Sequence, residues 1–146
     1  IFTPNSEDER RQAVLYGVGN LEELVDLERT FLEFFDPSGI PIQSVANISG
    51  LSEQILSVDK VSGDYTRLLH FEPGTDSSPM GPQIHDFREE VWIIEGSFFD
   101  ISLQQTFTAG MYACRPPGMT HGPWRSEEGC KTLEFRRYES NSNHQG

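Results

Sequence analysis

The sequence predicts a mainly β, single-domain protein that begins with a helical arm, and three observations support this. The length of 146 residues fits one domain with one core. Apolar residues recur at spacings of three and four before residue 39 and alternate with polar ones after it. Thirteen Gly and nine Pro divide the second part into short segments, which favours an antiparallel sandwich or barrel with tight turns.

The arm is assigned to residues 1–39. Ser6 and Glu9 have the spacing of a capping box, which marks the start of a helix. An apolar stripe then runs between acidic residues: Leu21, Leu24, Val25, Leu27, Phe31, Leu32 and Phe35. Such a stripe is typical of a helix that packs one face on the main domain or on a partner subunit. The segment 36–39, Asp-Pro-Ser-Gly, ends this helix.

The alternating pattern predicts eight strands within residues 40–138, followed by a polar, disordered tail at 139–146. Turn-forming segments rich in Gly, Pro and Asp separate them. The predicted strands are Gln54–Val58, Tyr65–Phe71, Gln83–His85, Glu90–Glu95, Ser97–Ile101, Gln105–Thr108, Met111–Arg115 and Lys131–Tyr138.

Charge and composition disfavour several classes of function. Eleven Lys and Arg against 23 Asp and Glu give a net charge of −12, which repels nucleic acid and anionic membrane surfaces. No apolar run approaches the ~18–20 residues of a membrane span. Two cysteines are too few for a disulfide framework. We therefore expect a cytoplasmic protein that acts on a small molecule and binds neither nucleic acid nor membrane.

Four polar residues form a candidate metal site. Gln83 and His85 lie two apart on a predicted strand and would share one face. Glu89 follows closely, and His121 lies just past a Pro-Pro-Gly turn. Imidazole, carboxylate and amide oxygen all bind divalent first-row metals, and two imidazoles with one carboxylate leave positions open for substrate. By composition alone, the alternative is a set of half-buried polar residues on unrelated strands.

The spacing of two segments resembles the motifs of the cupin superfamily, whose members form a double-stranded β-helix, or jelly-roll barrel. Glu89, six residues and Gly96 match the end of the first motif, G-x5-H-x-H-x(3–4)-E-x6-G, with His85 in its second histidine position. Gly110, Pro116, Gly118 and His121 keep every spacing of the second motif, G-x5-P-x-G-x2-H-x3-N. The resemblance implies a single cupin barrel over residues 40–138.

A narrower resemblance covers residues 50–138. This stretch is similar to the C-terminal domain of ChrR anti-sigma factors and to proteins described as 2,4′-dihydroxyacetophenone dioxygenases. The segments that carry it are 64–69, 71–74, 116–118 with His121, and 128–130. The helical arm lies outside it.

The cupin resemblance implies one divalent metal ion held by Gln83, His85, Glu89 and His121. Two positions depart from the motifs, because Gln83 replaces the first histidine and Arg125 replaces the closing asparagine. Type I phosphomannose isomerases, also cupins, bind zinc with a similar glutamine-containing set. Since an amide oxygen is a weaker ligand than imidazole, Fe²⁺ and Zn²⁺ are favoured here while Mn²⁺ and Ni²⁺ stay open.

Two further residues are candidates for catalysis. His70 ends a strand on which Thr66, Leu68 and His70 share one face, and it could shuttle a proton inside the barrel. Arg125 follows His121 at an even interval and could pair with an anionic substrate. The alternatives are a solvated histidine and a loop arginine. Aromatic residues could wall a pocket for a flat substrate: Trp92, Phe98, Phe99, Phe107 and Trp124.

Three functions remain open. The favoured one is a metal-dependent enzyme acting on a small enolisable or phenolic compound, with a dioxygenase slightly preferred on the family resemblance. A non-redox isomerase, lyase, cyclase or hydratase is the second, and Gln83 favours it. The third is a ChrR-like sensor or binding module without catalysis. A homodimer is expected for all three.

Overall fold

A computed structural model describes residues 32–138, which form a mainly β domain. Two single-turn 3₁₀ helices lie at Pro37–Gly39 and Ser78–Met80. Within this range there are nine strands: β1 Gln43–Ser44, β2 Leu51–Val58, β3 Tyr65–Phe71, β4 Thr75–Asp76, β5 Phe87–Asp100, β6 Gln105–Thr108, β7 Tyr112–Arg115, β8 Trp124–Ser126 and β9 Cys130–Tyr138. None of the helices among residues 32–138 has the length and apolar character needed to cross a membrane.

The strands form one antiparallel sheet that curls around an interior. Their order is β1-β2-β3-β9-β5-β8-β4, and β6 and β7 also pair with β5. The 14-residue β5 pairs with β7 and β9 in its first half and with β6 and β8 in its second. Gly96 lies where these halves meet, with a register shift between Ile93 and Glu95. A Cβ at Gly96 would lie 2.0 Å from the Gly129 carbonyl oxygen, so only glycine permits this approach.

The interior has an apolar end and a charged end. Six buried residues pack at the apolar end: Leu51, Leu69, Phe71, Ile93, Phe98 and Cys130. Toward the other end, the inward positions of β3, β5 and β9 carry the buried charged side chains of Arg67, Glu89 and Glu134. The candidate site lies at this charged end.

Most predicted strands agree with the structure. Tyr65–Phe71 and Gln105–Thr108 match residue for residue, and four other predictions differ mainly at their ends. Glu90–Glu95 and Ser97–Ile101 are parts of the single strand β5, because Gly96 bends the strand without ending it. The short strands β1, β4 and β8 were not predicted, since two or three residues are too few to show alternation.

Two local predictions are wrong. Gln83–His85 is not a strand, because only Gln83 pairs, in an isolated bridge with His121. The predicted helix was extended to Phe35, but residues 32–36 are not helical. Asp36 precedes a proline and is extended (φ −82°, ψ 113°), the conformation that a following proline favours. The rest of the predicted arm, residues 1–31, and the predicted tail, 139–146, lie outside the described residues.

Candidate metal centre

Three of the predicted ligands converge at the charged end of the interior. One ligand atom from each of His85, Glu89 and His121 lies within 4.8 Å of the others. His121 Nε2 is 3.8 Å from Glu89 Oε1. His85 lies in the loop before β5, Glu89 on β5 and His121 in the loop before β8.

Backbone hydrogen bonds join the two loops that carry the histidines. The Gln83 N–H donates to the His121 carbonyl at 2.7 Å, and the His121 N–H donates to the Gln83 carbonyl at 2.9 Å. The Gly118 N–H donates to the His85 carbonyl at 2.8 Å, from a turn in which Gly118 has a φ of +82°. The glycine of the second motif thus permits a turn that holds the first motif in place.

Both imidazoles are favoured in the neutral form that binds metal. Burial lowers the pKa of His85 and that of His121 below the ordinary value. His121 Nδ1 lies 3.0 Å from the Met119 carbonyl oxygen, an acceptor, so this nitrogen carries the hydrogen. The Nε2 lone pair is then free to bind a metal on the side of Glu89, an arrangement common around zinc ligands.

Two arginines hold the Glu89 carboxylate. Arg115 Nη1 donates to Glu89 Oε1 at 2.8 Å, and Arg136 Nε donates to Oε2 at 3.0 Å. The Glu89 side chain is only 4% exposed. A carboxylate offers about four lone-pair positions, so each oxygen keeps one that could bind a metal.

The charged cluster continues along β9 and β3. Arg67 bonds to Glu134 at 2.8 Å and to Glu53 at 2.5 Å, and Thr132 donates to Glu134 at 2.9 Å. Burial acts to raise the pKa of Glu134, but the positive charges of Arg67 and Arg136 outweigh it and hold that pKa below the ordinary value. Glu134 is therefore a carboxylate that stays ionised inside the domain.

The donor set fits a divalent metal after a small contraction. Metal–ligand bonds of about 2.1 Å place two ligand atoms at most about 4.2 Å apart. The separations here extend to 4.8 Å, so a shift of a few tenths of an ångström in each side chain would close the site. Gln83 lines the same cavity, and its amide nitrogen donates to the Met80 and Gly81 carbonyls. Its oxygen is the atom available as a fourth ligand.

Two cavities meet at this cluster. The first has a volume of about 200 Å³ and is lined by the three candidate ligands, Gln83 and the arginines around Glu89. Trp124 also lines it, and the Trp124 Nε1 atom is buried with no hydrogen-bond partner among the described residues. The second cavity, of about 250 Å³, adjoins the first. His121 and Arg115 line both.

The two predicted catalytic residues lie elsewhere. The cavity-facing positions of β3 are Arg67, Leu69 and Phe71, so His70 lies on the opposite face. There its Nε2 is 2.8 Å from Gln54 Oε1. Arg125 is exposed, with its guanidinium carbon 5.2 Å from the centre of the Phe99 ring. Neither side chain lines either cavity.

The predicted aromatic walls divide in the same way. Phe98, Phe107 and Trp124 line the cavities, whereas Trp92 is half-exposed on the outer face of the sheet. Phe99 lies outside both cavities beneath Arg125.

Four charged residues around the site were missed from the sequence: Arg67, Arg115, Glu134 and Arg136. One signal was available, because Thr132, Glu134 and Arg136 alternate along a predicted strand and must share one face. Arg115 ends the strand directly before the Pro-Pro-Gly turn that leads to His121.

Solved structures with the same fold include several cupins. An RmlC-like cupin from Shewanella frigidimarina NCIMB 400 has a TM-score of 0.61 and 17% identity, covering 79% of this chain and 97% of its own. The polyketide cyclase RemF from Streptomyces resistomycificus has a TM-score of 0.60 and 16% identity, covering 75% and 81%. An acetylacetone dioxygenase from Acinetobacter johnsonii has a TM-score of 0.60 and 16% identity, covering 74% and 75%. At these identities the likeness shows the fold alone.

The sequence comparisons agree with the fold. No curated protein matches the chain significantly in sequence. The family model described as the ChrR cupin-like domain matches residues 33–137, which is most of the chain. The predicted cupin barrel is thereby confirmed, and the chain belongs to the ChrR cupin-like domain family.

Proposed function

We propose that the protein is a metal-dependent enzyme that acts on a small enolisable or phenolic compound. The observation that carries this proposal is the convergence of His85, Glu89 and His121 on one cavity, with ligand atoms within 4.8 Å. A bound divalent ion would polarise the oxygens of such a substrate, and iron would also allow an oxidative reaction with O₂.

The residues of the chain supply binding and orientation. Arg115 and Arg136 fix the Glu89 carboxylate from both sides, which leaves its remaining lone pairs directed at the cluster. The orphan N–H of Trp124 is a buried donor beside the same cavity. A substrate oxygen held there would accept this hydrogen bond, which would satisfy a group that otherwise carries a desolvation cost.

Oxidative cleavage is slightly favoured over non-redox chemistry. An acetylacetone dioxygenase shares the fold, and two imidazoles with one carboxylate suit iron. A non-redox lyase, cyclase or isomerase is the second candidate, because Gln83 offers a neutral amide oxygen at the fourth position and a polyketide cyclase shares the fold. The substrate, the dimer and the identity of the metal stay predictions.

Metal analysis tests the proposal directly. Protein purified without added metal should contain about one equivalent of a divalent ion, and His121→Ala should lose most of it. His70→Ala is the matched control, since His70 lies on the outer face and lines neither cavity. Less than a tenth of an equivalent, with no gain on reconstitution, would exclude both enzyme mechanisms and favour a sensor or binding module.

The identity of the metal then separates the two enzyme classes. If iron is present, oxygen uptake should accompany the loss of a diketone or hydroxyaryl ketone from a substrate panel. Zinc with substrate turnover and no oxygen uptake would support the non-redox class.

A further inference from the structure

The second cavity shares a wall with the candidate metal centre. Val91, Phe98, Arg115 and His121 line both spaces. The second cavity lies between the inner sides of β5, β6 and β7 and the loop that carries His121. A molecule held by the metal centre could therefore extend past His121 into it.

The lining of this cavity is suited to an apolar group. Most of its wall is apolar, including Ile93, Leu103, Phe107, Met111 and Met119. Its polar side chains are already engaged, since Asp100 accepts from the Leu103 N–H at 2.9 Å and Ser102 donates to the Gly122 carbonyl at 2.7 Å. An occupant therefore gains by burying apolar surface there.

The charged cavity favours the opposite kind of group. Three arginines (67, 115 and 136) there face three carboxylates (Glu53, Glu89 and Glu134), so the cluster is balanced before any ion binds. A divalent ion would add two positive charges in a buried space. Anionic oxygens of a ligand would compensate them, whereas a neutral ligand would not.

We infer that the second cavity binds the apolar part of the substrate, whose anionic oxygen-bearing head lies at the metal centre. This inference rests on the proposed function and adds the substrate class, an aryl- or branched-alkyl-substituted enolate such as that of a 1,3-diketone. Size agrees, because an apolar cavity of ~150 Å³ accepts benzene. The volume here, about 250 Å³, takes a phenyl ring with a substituent.

Two diketones with the same head test the inference. With zinc-loaded protein, calorimetry should show that 1-phenylbutane-1,3-dione binds at least tenfold more tightly than acetylacetone. Ala113 lies on β7 and lines only the second cavity, so Ala113→Phe should fill that space and remove the preference while leaving acetylacetone affinity unchanged. Val61→Phe is the matched control, because Val61 is 75% exposed in the turn between β2 and β3.

Equal affinities of the two diketones for the unmodified protein would overturn the inference and leave the metal centre intact. Binding of neither diketone to metal-loaded protein would overturn the proposed function as well. Where Ala113→Phe does not fold, Leu103→Asp replaces it, since Leu103 is 61% exposed at the cavity.

A measurement without metal separates the two failures further. Fluorobenzene, followed by ¹⁹F NMR, should bind the metal-free protein and lose its binding in Ala113→Phe. Absence of fluorobenzene binding would overturn the inference whatever the metal content of the protein.

Discussion

The two faces of the sheet segment formed by β5, β7 and β9 differ in an unusual way. The inner face carries Glu89, Arg115 and Glu134, each of them buried. The outer face carries large apolar side chains that are exposed, with Trp92 at 50% and Phe135 at 39%. Buried ions cost several kcal/mol each in desolvation, and well-packed apolar residues would stabilise an interior at least as well. The contrast indicates that the inner face is organised for binding rather than for stability.

The largest expected effect comes from removing the carboxylate between the two arginines. Glu89→Gln leaves Arg115 with no carboxylate partner in the described structure and weakens the hold on Arg136. Breaking a buried ion pair on one side costs about 3–5 kcal/mol. We expect a loss of that size in the free energy of urea unfolding, together with loss of the bound metal.

The neighbouring residue provides the control on the other face. Glu90 points outward, where it accepts from Tyr112 at 2.6 Å and from the exposed Arg137 at 3.1 Å. Exposed pairs of this kind contribute about 0.2–1 kcal/mol, so Glu90→Gln should change stability little and metal content not at all. Similar losses in the two variants would contradict the distinction between the faces.

A smaller effect is expected at Glu134, and it should depend on pH. Because its pKa in the folded protein is held below the ordinary value of 4.5, ionised Glu134 stabilises the fold above that value. This stabilisation is lost as the pH falls through the folded pKa. The slope contributed by one group is at most about 1.4 kcal/mol per pH unit.

Urea midpoints measured between pH 7 and pH 3 would show this dependence. Glu134→Gln should lower stability at neutral pH by about 1–3 kcal/mol, since Arg67 keeps Glu53 and Arg136 keeps Glu89. It should also flatten the decline below pH 4.5. The exposed Glu128 is the control, and an unchanged slope in Glu134→Gln would show that other carboxylates drive the acid response.

The sequence predicted the ligands better than their surroundings, and the reason is physical. Motif spacing identified His85, Glu89 and His121 because a tight turn and a strand start fix their relative positions. The face of His70 could not be predicted, since Leu68 and Leu69 on the two faces of β3 are both buried. Gln54 explains this burial, because it binds the carbonyls of Pro37 and Ile40 and so holds that segment on the outer face.

Arg125 was misplaced for a different reason. An even interval from His121 places two side chains on one face only along a continuous strand, and β8 begins at Trp124. Trp124 therefore lines the cavity and Arg125 faces outward. The arginines around Glu89 were not predicted, because their role follows from pairing among β5, β7 and β9, which local spacing does not encode.

The two tryptophans give the smallest and sharpest test of the contrast, because one lies on each side of the sheet. Trp124→Phe keeps an aromatic ring beside His121 and Phe98 but removes the orphan N–H, whereas Trp92→Phe makes the same change on the outer face. One net hydrogen bond is worth about 0.5–1.5 kcal/mol, a change in affinity of roughly two- to twelvefold. We expect Trp124→Phe to weaken diketone binding to the metal-loaded protein by that factor at unchanged metal content, and Trp92→Phe to leave both values as they are. Equal diketone affinities in the two variants would mean that the indole N–H does not reach the ligand, which would leave Arg115 as the nearest donor on the wall that the two cavities share.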